Sequence, residues 1–181
     1  MLGDGQWKKL THLFTLIDVD DSGAVEYTDL ETVMNRTLAA AGHAPDSIIH
    51  DGAGAMLRRF WADFKQVADI NRDDRISRAE WFACWEQLLG EEDADALFDD
   101  LPPAVRQIHL LVAQALGIND LRGADSATWA RFAGSVGIGE AATFARLDLD
   151  GNGLISVDEL QQLTAEFFLS NEDAPGNALF G

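Results

Sequence analysis

The chain has 181 residues, of which 47% are hydrophobic, including five tryptophans and ten phenylalanines, and its formal net charge is −18. This length and apolar content predict a folded globular protein with a substantial core and exclude a disordered acidic tail. So negative a charge disfavours binding to nucleic acid or to an anionic membrane, and it favours cations or basic partners.

The chain carries no targeting or anchoring signal that its sequence makes visible. Its start lacks a basic and apolar leader, and no apolar run approaches the length of a membrane span. Leu2 excludes the myristoylation signal, and Cys84 is the single cysteine, which excludes an intramolecular disulfide. We therefore expect a cytoplasmic monomer with no membrane anchor.

The first predicted unit is a helix, a twelve-residue loop at 18–29 and a second helix. Apolar residues recur at helical spacing from Trp7 to Ile17 and again from Leu30 to Leu38. The loop places oxygen ligands for Ca²⁺ at Asp18, Asp20, Ser22, Ala24 (carbonyl), Glu26 and Asp29. Asp29 stands where Glu is usual and is one methylene shorter. We expect this site to offer fewer oxygens and to tolerate Mg²⁺.

A second unit of the same kind follows a predicted connector at 39–51. Its loop at 69–80 offers ligands at Asp69, Asn71, Asp73, Arg75 (carbonyl), Ser77 and Glu80. Asp74 occupies the place of the usual central glycine, at a cost of about 1 kcal/mol in the left-handed conformation. Three arginines leave the loop with a formal charge of −1. We therefore predict a complete set of ligands in a weak electrostatic field.

The third unit has the apolar pattern of its helices but an altered loop. Residues 91–102 are predicted to form an acidic linker, and Pro103 to stand near the start of the next helix. The five side-chain ligand places then fall on Gly117, Asn119, Leu121, Asp125 and Thr128. Because acids are missing from the first and last places, we predict a helix–loop–helix unit that binds no metal. An ordinary interhelical loop is the alternative.

The fourth loop, at 148–159, has the most complete ligand pattern. Its ligands are predicted to be Asp148, Asp150, Asn152, Leu154 (carbonyl), Ser156 and Glu159. Gly153 permits the sharp central turn, and Ser156 with Glu159 has the spacing of a capping box that opens the next helix. An Asp/Gly-rich surface turn is the alternative, but such a turn does not require an acid at the twelfth place.

These units together predict an all-α fold of four EF-hand helix–loop–helix units. The units form two pairs, at 1–90 and 103–170, which pack into one globule and are followed by a tail at 171–181. Each pair should join through a short antiparallel contact at the eighth loop places. Val25 would then meet Ile76, and Ala124 would meet Ile155. For the tail, disorder and docking through Leu179 and Phe180 are both open.

In these features the chain resembles the sarcoplasmic calcium-binding proteins and calexcitin-type EF-hand proteins, a group with compact bacterial members. The resemblance covers nearly the whole chain. It rests on the early loop at 18–29 with Asp29 at its end, on the long gap before the second loop, on Trp/Phe-rich helices and on the ending at 166–171. It implies a compact all-α protein with three working loops, acting as a cytosolic Ca²⁺/Mg²⁺ buffer.

Three functions follow as hypotheses. The first is a calcium buffer that binds about three ions, with the fourth loop tightest. The second is a calcium sensor that exposes a hydrophobic surface to a protein target; the chain has only three methionines, and sensor grooves are Met-rich. The third is a luciferin-binding photoprotein relative. Because no pairing of nucleophile and base is visible, we expect no enzyme.

Overall fold

The computed structural model describes residues 2–89, 102–138, 144–171 and 173–180. The predicted linker at 91–102 therefore lies outside the described residues except for Pro102. The elements of the N-terminal half are α1 (Asp4–Ile17), β1 (Ala24–Val25), α2 (Tyr27–Ala40), α3 (Ile48–Ala68), β2 (Ile76–Ser77) and α4 (Arg78–Leu89).

The C-terminal half repeats this order of elements. They are α5 (Pro103–Leu116), β3 (Ala124–Asp125), α6 (Ser126–Val136), α7 (Phe144–Leu147), β4 (Leu154–Ile155), α8 (Val157–Leu169) and a closing 3₁₀ segment (Pro175–Leu179). Pro103 is the first residue of α5, as its missing N–H allows. The prediction of an all-α fold with four EF-hand units in two pairs is confirmed.

The connector between the first two units is shorter than predicted. We expected it to extend to residue 51, but α3 begins at Ile48. The reason is a helix cap, because the Ser47 hydroxyl accepts a hydrogen bond from the His50 backbone N–H at 3.2 Å. The sequence pattern missed this start because the first turn of α3 is exposed and carries no apolar periodicity.

The loops of each pair meet through two antiparallel strands of two residues. Val25 pairs with Ile76, and Ala124 pairs with Ile155, as predicted. All four side chains are buried. Gly123 permits the second contact, because a Cβ at this position would lie 2.8 Å from the Ile155 carbonyl oxygen. The third loop thus serves as the structural partner of the fourth.

The two pairs pack against each other over a shared core. Helix α2 packs on α6, α3 on α5, and α1 on α8. Trp85 is fully buried and stacks on Phe168 at a centroid distance of 5.1 Å, which joins α4 to α8. Of the five tryptophans, Trp7 is the most exposed. This residue is 38% exposed and contacts Phe82 on the surface side.

Helix α1 is hydrogen-bonded to the end of α8 and to the segment that follows it. Gln6 Nε2 donates to the Phe168 carbonyl at 3.0 Å, and Lys9 Nζ donates to the Ser170 carbonyl at 2.6 Å and to Asn177 Oδ1 at 3.2 Å. Phe180 packs edge-on against Phe167. Of the two alternatives left open for the tail, docking is therefore confirmed. No described helix combines the length and apolar character needed to cross a membrane.

Candidate metal centres

The fourth loop turns through two glycines in the left-handed region, Gly151 at φ +71° and Gly153 at φ +87°. This turn lets the Asp148 carboxylate accept hydrogen bonds from the backbone N–H groups of Asn152 at 3.0 Å and Gly153 at 2.9 Å. Oxygens of Asp148, Asp150 and Glu159 lie within 4.8 Å of one another. The loop thus gathers three carboxylates around one point.

Glu159 closes the fourth loop with both of its carboxylate oxygens. Oε1 accepts from the backbone N–H groups of Leu149 at 2.8 Å and Asp150 at 3.2 Å, and Oε2 accepts from the Ser156 N–H and hydroxyl, each at 2.8 Å. The predicted capping box is confirmed. Burial alone would raise the pKa of Glu159, but these hydrogen bonds outweigh it and the pKa lies below its ordinary value.

The first loop also gathers three carboxylates, those of Asp18, Asp20 and Asp29, within 4.8 Å. Asp29 Oδ2 accepts from the Glu26 N–H at 2.8 Å. Burial is the main cause that raises the pKa of Asp29, and the nearby charges of Asp20 and Asp18 add to it. The acid that ends this loop thus has a raised pKa, whereas the pKa of Glu159 is lowered.

The other three ligand residues described in the first loop, Ser22, Ala24 and Glu26, make contacts of their own. The Ser22 hydroxyl donates to the Ala24 carbonyl at 3.0 Å, so the two predicted ligands are adjacent. Glu26, at the ninth place, forms an ion pair with Arg75 of the second loop at 2.8 Å. This ion pair links the two loops of the N-terminal pair and was not predicted from the sequence.

The second loop has the same hydrogen-bond framework as the fourth. The Asp69 carboxylate accepts from the N–H groups of Asp73 at 3.2 Å and Asp74 at 3.0 Å. Glu80 Oε1 accepts from the N–H groups of Ile70 at 3.1 Å and Asn71 at 3.2 Å. Glu80 Oε2 accepts from Ser77, and the hydrogen bonds from Ser77 chiefly lower the pKa of Glu80.

The second loop nevertheless forms no cluster of three acids among the residues that the structure describes. The third position of the loop is the amide Asn71, which donates to Asp73 Oδ2 at 3.1 Å. Arg72 and Asp74 both adopt the left-handed conformation, at φ +62° and +65°. Asp74 is also engaged by an ion pair with Lys65. This loop therefore has more backbone strain and fewer converging charges than the fourth.

The third loop uses its polar groups for its own backbone. Asn119 Oδ1 accepts from the Leu121 N–H at 3.0 Å, and Asp125 Oδ1 accepts from the Thr128 N–H at 2.8 Å as the N-cap of α6. Leu121, at the fifth position of the loop, is 97% exposed. The absence of a metal from this loop stays a prediction.

Each of the three loops has a left-handed residue at its fourth place, a feature not predicted from the sequence. Asp21 at φ +56°, Arg72 and Gly151 share this place in the three loops. Gly151 was the available signal, because glycine adopts a positive φ without a Cβ clash. The predicted carbonyl donors are in or beside the paired strands, with Ala24 in β1, Leu154 in β4 and Arg75 directly before β2.

The donors gathered in these loops are oxygens of carboxylate, amide, hydroxyl and carbonyl groups. No thiol or imidazole is among the predicted ligands of the three loops. Such a donor set fits a hard cation, Ca²⁺ or Mg²⁺, and does not fit a soft transition metal.

Comparisons with known proteins agree with this geometry. The EF hand family model matches residues 140–164. Sarcoplasmic calcium-binding proteins II, V, VI and VII of Branchiostoma lanceolatum are 24% identical to the chain over 176 residues, which are 96% of this chain and 76% of the relative.

Two solved structures have the same fold as this chain. A sarcoplasmic calcium-binding protein from amphioxus has a TM-score of 0.80 at 22% identity, over 100% of this chain and 98% of that one. A Streptomyces coelicolor calcium-binding protein has a TM-score of 0.72 at 23% identity, over 91% and 98%. The chain is therefore an EF-hand protein by fold. Its predicted resemblance to the sarcoplasmic calcium-binding proteins is confirmed.

Proposed function

We propose that this EF-hand protein is a cytosolic Ca²⁺/Mg²⁺ buffer that binds about three calcium ions, at loops 18–29, 69–80 and 148–159. The observation that carries the proposal is the shared framework of the three loops. In each, the first acid accepts hydrogen bonds from two backbone N–H groups across the turn, and the last acid accepts from the N-cap residue of the next helix.

The physical basis of binding is the neutralisation of clustered charge. In the absence of an ion, the carboxylates of Asp18, Asp20 and Asp29 repel one another, and this repulsion adds to the rise in the pKa of Asp29. A divalent cation replaces the repulsion with attraction. Binding should then stabilise the folded chain by linkage. Mg²⁺, which prefers octahedral coordination, should compete best at the first loop, where Asp29 is short.

A buffer needs no large opening on binding, and the packing between the halves favours that behaviour. Gln6 and Lys9 tie α1 to the end of α8, and the Trp85–Phe168 stack joins α4 to α8. Opening a groove would have to break these contacts. Five tryptophans and ten phenylalanines against three methionines also favour a firmly packed interior over an adaptable one.

A calcium sensor is the second candidate. One observation favours it: the structurally similar Streptomyces coelicolor protein is described as acting in prokaryotic calcium-mediated regulation. Binding of a hydrophobic dye with and without Ca²⁺ separates the two functions. A buffer should show little change in dye fluorescence, whereas a large rise on adding Ca²⁺ would contradict the buffer and support the sensor.

Calorimetric titration with Ca²⁺ against a Mg²⁺ background tests the ion count and the competition together. The wild-type chain should bind about three Ca²⁺, and Glu159→Gln should bind one fewer with its helices intact by circular dichroism. Thr128→Ala, in the third loop, is the matched control and should leave the stoichiometry unchanged. A Glu159→Gln variant that still binds three ions would contradict the assignment of Glu159.

A further inference from the structure

An apolar cavity of about 150 Å³ lies between the first EF-hand unit and helices α3, α5 and α6. Its walls come from both halves of the chain, and Phe180 of the docked tail contributes to them. The cavity is partly open to the surface. Apolar cavities of about this volume hold molecules of benzene size. Among the described residues that line it, none is charged and none is histidine or tyrosine. An ion would therefore lose its hydration there without compensation.

Two polar side chains, Thr37 and Gln114, are in the lining. The Thr37 hydroxyl donates to the Val33 carbonyl at 2.8 Å and accepts from the Ser135 hydroxyl at 3.3 Å. Gln114 differs from Thr37 because only one of its two polar atoms has a partner among the described residues. Its Nε2 donates a hydrogen bond to the Ile49 carbonyl oxygen at 3.3 Å. Its Oε1 is buried and accepts no hydrogen bond from the described residues. A buried acceptor without a donor is costly, and a ligand O–H or N–H would satisfy it.

The cavity wall is directly connected to the first calcium loop. Ile17 precedes Asp18, Val25 lies inside the loop, and Leu30 follows Asp29; all three apolar residues line the cavity. An ion that orders the acids at the two ends of this loop must also fix these wall residues. Ligand and ion would then each favour the same arrangement of the first hand, and such coupling is reciprocal.

We propose that this cavity binds a small, neutral, mostly apolar molecule of about phenol size with one hydrogen-bond donor, and that its affinity is linked to Ca²⁺ at loop 18–29. The donor faces Gln114 Oε1, and the hydrocarbon part occupies the apolar space. The linkage rests on the proposed calcium function, whereas the binding site itself does not.

Calorimetric titration of the whole chain with phenol and with toluene tests the site, since the two probes are alike in size and differ in the donor. Both should bind with a stoichiometry of one. Gln114→Leu should weaken phenol about fivefold, the worth of one hydrogen bond, and leave toluene within about twofold. Absence of saturable binding of either probe would overturn the site. Equal losses for the two probes would overturn the role of Gln114.

A variant whose new side chain fills the cavity tests whether phenol and toluene bind there. Ala115 lines the cavity, and Ala115→Phe should abolish binding of both probes, whereas Ala130→Phe on the exposed face of α6 should not. If Ala115→Phe does not fold, the phenol and toluene comparison in Gln114→Leu still decides. Binding that survives in a folded Ala115→Phe variant would place the probes elsewhere and overturn the proposal.

The linkage is measured by comparing the affinity for phenol in the presence of Ca²⁺ with the affinity in the presence of a chelator. Phenol should bind at least about fivefold more tightly with Ca²⁺, and Asp18→Asn should remove this difference while Asp148→Asn retains it. Equal affinities in a protein whose first loop takes up Ca²⁺ would overturn the linkage and leave the calcium function intact. A first loop that takes up no Ca²⁺ would contradict the calcium function, while titration in chelator still tests the cavity.

Discussion

The fourth and second loops have the same hydrogen bonds but differ in how easily the backbone makes them. In each, the last Glu accepts from the second and third residues of the loop and from the serine that caps the next helix. The fourth loop makes its two left-handed turns with Gly151 and Gly153, the second with Arg72 and Asp74. The ligand residues thus determine the hydrogen bonds of the loop, and the residues between them determine how much backbone strain the loop carries.

The fourth and second loops also differ in the charge that their side chains carry. Three carboxylates converge in the fourth loop, whereas the second places an amide, Asn71, among its acids and carries three arginines. Arg75 pairs with Glu26 of the first loop, and Lys65 pairs with Asp74. We therefore predict that the fourth loop binds Ca²⁺ more tightly than the second.

The largest effect should come from removing the last acid of each loop. Glu159→Gln and Glu80→Gln should each lose one Ca²⁺ in calorimetry, because an amide replaces a carboxylate that supplies two oxygens. The loss in Glu159→Gln should remove the tightest phase of the titration, and the loss in Glu80→Gln a weaker one. If Glu80→Gln removed the tightest phase and Glu159→Gln a weaker one, the predicted order of Ca²⁺ affinity would be contradicted.

An intermediate effect should come from relieving strain in the second loop. Asp74→Gly should tighten Ca²⁺ binding there up to about fivefold, the equivalent of about 1 kcal/mol, because glycine adopts the left-handed turn freely. Asp74→Asn is the matched control, since it removes the same charge and the Lys65 ion pair without supplying glycine. Equal affinities of the two variants would show that charge, rather than the backbone, limits this loop.

The converse change belongs to the fourth loop. Gly153 has φ +87°, and a Cβ added there would meet no heavy atom of the described residues within 4 Å, so Gly153→Ala should cost backbone strain alone. We expect Ca²⁺ affinity at this loop to fall about fivefold and the thermal stability of the Ca²⁺-bound form to drop. Gly134→Ala, on the exposed side of α6, should be neutral or stabilising in both measurements.

The smallest effect concerns the calcium-free chain and its pH dependence. At pH 7 in chelator, Asp29→Asn should raise the melting temperature, because the pKa of Asp29 is raised above 3.8 and its charged form is disfavoured in the fold. Glu159→Gln should lower it, because the pKa of Glu159 is held below 4.5.

Lowering the pH should remove both differences in melting temperature, and the direction of each change follows from proton linkage. The stabilisation by Glu159 is present above its ordinary pKa of 4.5 and is lost as pH falls through the lower folded value. The destabilisation by Asp29 is present above its raised folded pKa and disappears as pH falls through its ordinary 3.8. Thermal melts at pH 7 and at about pH 2, where both carboxyl groups are protonated, check this. Shifts of the same sign for the two variants at pH 7 would contradict the contrast.

The sequence predicted the fold because ligand spacing and apolar periodicity agree. The positions of Asp148 and Glu159 fix a twelve-residue loop, and the apolar eighth residues then determine the pairing of Val25 with Ile76 and of Ala124 with Ile155. The early start of α3 was missed because a single Ser47 cap, rather than a repeating pattern, begins that helix.

Side-chain pairings between distant segments could not be predicted in the same way. Three features depend on how helices from different units come together. They are the Glu26–Arg75 ion pair, the bonds of Lys9 to the docked tail and the Gln114 oxygen, which accepts no hydrogen bond from the described residues. The sequence lists the residues involved, but their contacts depend on the tertiary packing. The same holds for the cavity, whose wall residues come from both halves of the chain.

A crystal structure grown with Ca²⁺ tests the central claim most directly, since it locates each ion. We predict one ion in each of the loops 18–29, 69–80 and 148–159, held by the acids at both ends of the loop, and none in the loop that begins at Gly117. Ions in fewer than two of these three loops, or an ion in the loop at Gly117, would contradict the account.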